Sequence, residues 1–328
     1  ILRHFLAGST LTHVKTPNAT PAHSTLCVWG DTCTKDVADA HQILRVEDGF
    51  LRSAGLGADL IKPLSWVIDD KGIYYDPSKP SRLETILQSQ DFDAELCARA
   101  RNLTQTLIAQ GVSKYNVGKS EWPLPPRDKR VILVPGQVQN DASLRAGAGD
   151  IKNNYDLLLA VRNSNPKAHI IYKPHPDVVA GLRRPGASEK IMEDLYDQIV
   201  THADPIAMLP YVDEVHAMTS LMGFEALLRG VDVTCYGQPF YSGWGLTTDL
   251  TPIPRRSAIL KLDELVAGAL IVYPRYVSRI SGRLTTPEQA VAELLDWRVS
   301  GPSRMPIPRK ILRQCLRLWA VSGLRKSA

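Results

Sequence analysis

The stretch Glu121-Trp-Pro-Leu-Pro-Pro-Arg-Asp-Lys-Arg-Val-Ile-Leu-Val134 decides how the chain is organised. Three prolines within four residues remove backbone donors and fix φ, so no helix continues through them, and the polar run that follows reads as a linker. Val131 to Val134 then restarts the pattern as a buried strand. Downstream, strands at His169 to Tyr172, Gln198 to Thr201, Glu214 to Ala217 and Asp232 to Tyr236 alternate with helices near 154–164, 188–198, 222–229, 262–271 and 286–297. Upstream, Thr25 to Trp29, Gln42 to Val46 and Trp66 to Asp69 read as strands, and 81–90 and 93–110 as helices. Such alternation implies parallel sheets covered on both faces. The expected fold is α/β, with two Rossmann-like domains facing a central cleft. Residues 1–122 form the first domain, 123–128 the linker, 129–300 the second domain and 301–328 a basic amphipathic tail helix.

Composition narrows the function. The 328 residues are 44% hydrophobic and 22% charged, which describes a folded globular protein rather than a disordered one. No apolar run reaches the ~18–20 residues that a spanning helix requires. The chain starts at Ile1 with only a short apolar stretch after Arg3 and His4, and reads as an excised fragment without a signal peptide, which favours the cytoplasm. Cys27, Cys33, Cys97, Cys235 and Cys315 are odd in number and form no C-x-x-C pair, which fits a reducing compartment and no zinc site. The net charge is +5, but seven Lys or Arg and no acid lie in 304–328, so the rest of the chain, at +5 less seven, carries −2. A body this near neutral lacks the basic stripe that nucleic-acid binding requires.

In open α/β sheets ligands collect beyond the carboxyl ends of the strands, so residues there are the first candidates. Lys173-Pro-His-Pro-Asp177 follows one strand, and its two prolines hold Lys173 and His175 in a rigid turn. An ammonium beside an imidazole suits a phosphate oxygen, the first as point charge and the second as proton donor. Ala217-Met-Thr-Ser-Leu-Met-Gly-Phe-Glu225 follows another strand and opens a helix, with Thr219 and Ser220 at the N-cap, where free N–H groups also favour phosphate. Glu225 either accepts from ribose hydroxyls or complements the helix dipole. Asp141, reached through Val134-Pro-Gly-Gln-Val-Gln-Asn-Asp, is either a cleft nucleophile or base, or a helix cap. In the first half, Val46-Glu-Asp-Gly-Phe-Leu-Arg-Ser53 ends a strand, and Glu47, beside apolar Val46 and Phe50, is the acid/base candidate. His169, His202 and His216 read as core histidines, and Asp69-Asp70 before Lys71-Gly72 as a β-turn, so no metal site is assigned. Leu312, Cys315, Leu316 and Trp319 share one face of the tail, with Arg309, Arg313 and Arg317 on another, which suits either anionic lipid or docking across the two domains.

Together these motifs resemble the retaining β-Kdo glycosyltransferases of capsule polysaccharide synthesis, the KpsC/LipB family. The resemblance rests on Glu47-Asp-Gly-Phe-Leu-Arg-Ser53, Asp69 to Arg82, Ser113-Lys-Tyr-Asn116 and Val134-Pro-Gly-Gln-Val138 continuing to Asp141. It rests also on Tyr172-Lys-Pro-His-Pro-Asp177, Gly223-Phe-Glu-Ala-Leu227 and Pro239-Phe-Tyr-Ser-Gly-Trp-Gly245, so that it spans roughly residues 25–298. It implies a GT-B arrangement that binds CMP-Kdo mainly in the second domain and the acceptor in the first, as one module of an enzyme that often carries two. It implies no cofactor and no metal. Gln137 is implied on the donor side with Lys173, His175, Thr219, Ser220 and Glu225. Arg52 and Ser53 are implied on the acceptor or sugar side. Retention then needs a carboxylate nucleophile, for which Asp141 is the candidate, with Glu47 as acid/base. The implied acceptor is a Kdo-bearing lysophospholipid at the cytoplasmic face of the inner membrane, which brings peripheral membrane contact and capsule assembly proteins as partners. Rival readings are another CMP-sugar transferase of the sialyltransferase kind and a non-catalytic CMP-binding scaffold of capsule assembly. A metal-dependent phosphotransferase is a third.

Overall fold

In the computed structural model, which describes residues 2–16, 19–31, 42–51, 63–113, 121–179 and 192–300, two sheets share one continuous hydrophobic core. In chain order, α1 (Leu2–Phe5), β1 (Leu26–Trp29), β2 (Ile43–Asp48) and β3 (Ser65–Asp69) are followed by α2 (Arg82–Ser89) and α3 (Ala94–Ala109). The second half contains β4 (Val131–Pro135), α4 (Ala142–Gly147), α5 (Asn154–Ser164), β5 (His169–Lys173), α6 (Pro176–Val179) and β6 (Gln198–Ile199). It continues with α7 (Pro205–Met208), β7 (Glu214–Ala217), α8 (Leu221–Leu228), β8 (Asp232–Cys235) and β9 (Thr248–Asp249). The described chain closes with α9 (Leu262–Val266), β10 (Pro274–Val277), β11 (Leu284–Thr285) and α10 (Pro287–Ser300).

The second sheet follows from its apolar runs. β4 and β7 are buried at every position, and strands without a solvated face need cover on both sides. The sheet has six strands, all parallel, in the order β6-β5-β4-β7-β8-β9. Counted within this half, that is the doubly wound order 3-2-1-4-5-6, which reverses direction between β4 and β7 and opens a crevice beyond their carboxyl ends.

The first sheet departs from expectation. Its order is β1-β2-β3-β10-β11, and only β1 and β2 pair in parallel; every other pair is antiparallel. β1 and β2 are each fully buried at only one position, Leu26 and Val46, so unlike β4 and β7 they are not covered along their whole length. Two of its strands also come from the far end of the sequence. β10 covers the edge of β3, and Tyr273 Oη donates to the buried Asp69 Oδ2 at 2.8 Å. The segment 129–300 therefore does not close on itself.

Two helix expectations change as well. Only Glu193–Leu195 of the helix expected near 188–198 is helical among the described residues, as one 3-10 turn. Asp197 Oδ2 then accepts from Ile170 N at 2.8 Å and draws the chain into β6. The helix expected over 262–271 is α9 continued by a π-helical segment, Ala267–Val272. Residues 121–130 hold no helix or strand, and Pro123 O accepts from Gln198 Nε2 at 2.7 Å, which straps this segment to the second sheet. The tail 301–328 lies outside the described residues. No helix among the described residues is long and apolar enough to cross a membrane.

Aromatic packing joins the halves. Phe50, just after β2, stacks on Phe240 at 4.4 Å between ring centres, and Phe240 meets Tyr74 edge-on at 5.9 Å. Glu84 of α2 pairs with Arg255 and, at 3.0 Å, with the buried Arg256 of the second half. Beside this seam Gly223 of α8 faces the fully buried Tyr241, whose hydroxyl donates to Ser220 O at 2.6 Å. A Cβ on Gly223 would overlap that hydroxyl, which has nowhere to retreat. Gly223→Ala is expected to destabilise the protein by about 3 kcal/mol, read as a lower urea midpoint at unchanged slope.

Candidate functional site

Between the two sheets lies a cleft of about 680 Å³. One wall is built from the loops after β4, β5 and β7, where the doubly wound order reverses. The other comes from the ends of β1 and β2 and from Tyr74 and Tyr75, with Phe50 and Phe240 also lining it. The residues singled out from sequence, Glu47, Gln137, Asp141, Lys173, His175, Thr219, Ser220 and Glu225, all line it. Arg52 and Ser53 lie outside the described residues.

On the second-sheet wall, Lys173 ends β5 with its side chain buried, its Nζ donating to Thr201 O at 3.3 Å. Burial pushes its ammonium down to about 8, opposed in part by the Asp204 carboxylate. Asp204 is itself raised, chiefly by burial, so both partners are short of water rather than strongly coupled. His175 Nδ1 accepts from Asp177 N at 3.1 Å, which makes Nε2 the protonated nitrogen of the neutral ring. Ser220 caps α8, its Oγ accepting from Met222 N at 3.2 Å.

Thr219 does not share that cap. Its backbone N donates to Gln137 Oε1 at 2.9 Å, Gln137 Nε2 donates to Thr219 Oγ1 at 3.0 Å, and Thr219 Oγ1 donates to Ser143 Oγ at 3.1 Å. Ser143 Oγ in turn donates to Asp141 Oδ1 at 2.8 Å, and Ser143 N reaches the same oxygen at 2.8 Å. Asp141 is thus the N-cap of α4 and a cleft residue at once, and among the described residues both hydrogen bonds to it fall on Oδ1.

Glu225 lies in the second turn of α8, too deep to complement its dipole, and pairs with Arg229 Nη1 at 2.9 Å. Arg229 Nη2 also holds Val112 O at 3.1 Å.

On the first-sheet wall, Glu47 Oε1 accepts from Asp48 N at 2.9 Å. The apolar setting expected for Glu47 is only half present. Strand alternation turns Val46 to the opposite face, where it packs with Phe5, Trp66 and Val277. Gly30, at φ +61°, allows a close approach, since a Cβ there would stand 2.9 Å from Tyr75 Oη and 3.4 Å from Glu47 Oε2. Tyr75 is buried, and burial first, then Glu47, Asp31 and Asp141, push its phenol well above the usual range. It is a permanent O–H donor set between the carboxylates of both walls.

Sequence reasoning missed Tyr75, Ser143 and Arg145. Nothing in the sequence singles out Tyr75, and only its position between the two halves reveals it. Arg145 Nη2 meets Asp31 Oδ2 at 3.3 Å, an ion pair between the halves. Asp69 is the turn residue it was read as: its Oδ1 accepts from Lys71, Gly72 and Arg82 backbone N–H groups at 2.9 to 3.0 Å. His216 is buried, with Nδ1 3.2 Å from Tyr236 Oη and Nε2 3.1 Å from Glu214 Oε1. His169 bonds Gln198 at 3.1 Å, whereas His202 is exposed rather than in the core. No group of three or more His, Cys, Asp or Glu that would hold a metal occurs among the described residues.

Fold and cleft define an α/β protein with a polar, two-walled site at the switch point of a doubly wound sheet. The model of the family described as "Capsule polysaccharide biosynthesis protein" matches residues 25–283, and the chain belongs to that family. It is 51% identical over 274 residues to the capsule polysaccharide modification protein LipA of Neisseria meningitidis serogroup A, a match that covers 82% of this chain and 39% of LipA. It is 46% identical over 255 residues to the lipopolysaccharide-processing protein LpsZ of Rhizobium meliloti, covering 76% of this chain and 58% of LpsZ. The chain thus spans less than two thirds of the length of these curated relatives. Two structures from Thermosulfurimonas dismutans KpsC are similar. The beta Kdo 2,4 transferase matches at TM-score 0.80 and 32% identity, covering 90% of this chain and 93% of that one. The beta Kdo 2,7 transferase matches at TM-score 0.71 and 44% identity, covering 84% and 85%.

Proposed function

We propose that the chain is a retaining β-Kdo glycosyltransferase module of GT-B type that transfers Kdo from CMP-β-Kdo to a Kdo-terminated glycolipid during capsule polysaccharide synthesis. The observation that carries this is that one cleft brings together Asp141, the proton donors Lys173 and His175, and, on the facing wall, Glu47 and Tyr75. The likeness to two Kdo transferases supports the donor and the acceptor class.

In this reading Asp141 Oδ2 attacks the anomeric carbon while the bond from that carbon to the CMP phosphate oxygen breaks. CMP leaves with the electron pair, its charge met by Lys173, His175 Nε2–H and the first turn of α8. These groups suffice for one phosphate, so the step needs no divalent ion. Glu47 then takes the proton of the acceptor hydroxyl, whose oxygen displaces the Asp141 carboxylate. Two inversions restore the β configuration. Glu225, which lines the cleft, is assigned to the ribose hydroxyls, and Arg52 and Ser53 to the acceptor side. The module works at the cytoplasmic face of the inner membrane, in peripheral contact with lipid and capsule assembly proteins.

Donor competition tests the reading. CMP-Kdo is expected to be consumed and CMP-sialic acid to be ignored, with rates unchanged by EDTA; the opposite donor preference contradicts it. His175→Ala is expected to weaken CMP affinity by about tenfold, the value of one charge-assisted hydrogen bond, measured by calorimetry. Unchanged affinity and turnover would remove His175 from the site.

A further inference from the structure

We infer that Gln137, Thr219 and Ser143 are not donor-binding side chains but a one-way hydrogen-bond chain that positions the Asp141 carboxylate for attack; this rests on the nucleophile reading above. The direction of the chain is forced from its start. The backbone of Gln137 is clamped by Asn154 of α5, whose Oδ1 accepts from Gln137 N at 2.9 Å and whose Nδ2 donates to Gln137 O at 3.0 Å. Thr219 N is a donor only, so Gln137 Oε1 must face it and Nε2 must face Thr219 Oγ1. A hydroxyl that already accepts from an amide turns its single proton to the next acceptor, Ser143 Oγ. Ser143 then turns its own proton to Asp141 Oδ1.

The middle of the chain is confined by packing. The Thr219 methyl lies where Cβ atoms on Gly147 and Gly237 would come within 3.1 Å, so its β-branched side chain is held in one rotamer by the backbones of α4's last turn and of the segment after β8. The consequence for Asp141 is geometric. Oδ1 is fixed by two donors from Ser143, which leaves Oδ2 as the oxygen available for attack. The chain also joins the loop after β4 to the loop after β7, the two strands that flank the switch point.

Thr219→Val keeps the shape and deletes the hydroxyl, and Thr219→Ser keeps the hydroxyl. The wild type, both variants and Ser143→Ala are incubated with CMP-Kdo without acceptor, and the Kdo–protein adduct is followed by mass spectrometry; CMP affinity is measured by calorimetry and folding by thermal denaturation. Thr219→Val is expected to slow adduct formation by about ten- to a hundredfold with CMP affinity within about twofold of wild type, and Thr219→Ser to recover most of the rate. The double variant of Thr219→Val and Ser143→Ala is expected to be no slower than the worse single variant, because both break one chain. CMP affinity that falls in parallel with the rate would make Thr219 a donor-binding residue and overturn the inference, as would an unchanged rate in both single variants. No adduct and no product from the wild type would overturn the nucleophile reading itself, and the inference with it.

Discussion

Replacing Asp141 by Asn is expected to lower Kdo transfer by about a thousandfold or more, the scale on which nucleophile variants of other enzymes fail. The substitution separates chemistry from structure. Asp141 caps α4 through Oδ1, and asparagine caps a helix as well as aspartate does, so the bonds from Ser143 N and Ser143 Oγ survive. What is lost is the negative charge, and with it the ability to form an ester with the anomeric carbon. CMP affinity is therefore expected to stay near that of the wild type, and thermal stability with it. If Asp141 were only a cap, the variant would be silent. Turnover above a few per cent of wild type would rule it out as nucleophile.

The second large effect concerns Lys173. Its ammonium is held down to about 8 by burial, so the folded protein maintains a desolvated charge at pH 7. Lys173→Met is expected to lose CMP affinity by about a hundredfold, because a buried charge on a phosphate has no replacement. The same variant is expected to be more stable than the wild type at pH 7, by as much as about 3 kcal/mol from the size of the shift. The sign follows from proton counts. Between about 8 and the unfolded value of 10.5 the unfolded chain holds more protons than the folded one, so Lys173 makes stability rise with pH across that window. Below it both states are charged and the whole penalty is present. Binding runs the other way. Wild-type affinity for CMP is expected to fall as pH rises above about 8, because the free protein loses the cation the phosphate needs. A calorimetric titration from pH 6 to 10 checks this, and an affinity flat through that range in the wild type would exclude Lys173 from phosphate binding.

Much of this architecture was legible in the sequence where local pattern decides structure. β4, β5 and β7 are short apolar runs between turn signals, and the strand expected at Glu214 to Ala217 spans the same residues as β7. The residues after those strands were readable as site candidates because a doubly wound sheet gathers ligands at its carboxyl edge. The first sheet was less legible. Whether β2 and β3 run parallel is decided by partners, and the second partner of β3 is Pro274–Val277, some two hundred residues later. No local signal in Pro274-Arg-Tyr-Val marks it as the cover of that edge. Site residues were missed for a related reason. Tyr75 and Ser143 carry no motif of their own, and they matter because packing sets a phenol of one half near Glu47 and Asp31 and a hydroxyl of the other on Asp141. Glu225 shows the reverse, a motif residue whose dipole role fails by one helical turn.

The central claim is that this cleft moves a Kdo group with retention through Asp141. The most direct measurement mixes the protein with CMP-Kdo generated in situ and a synthetic acceptor ending in Kdo, and determines the product by mass and NMR beside Asp141→Asn. A β-linked Kdo product from the wild type and none from the variant is the predicted result, and NMR reads the linkage from the same sample. An α-linked product, or no product from any acceptor while CMP still binds, would contradict the account.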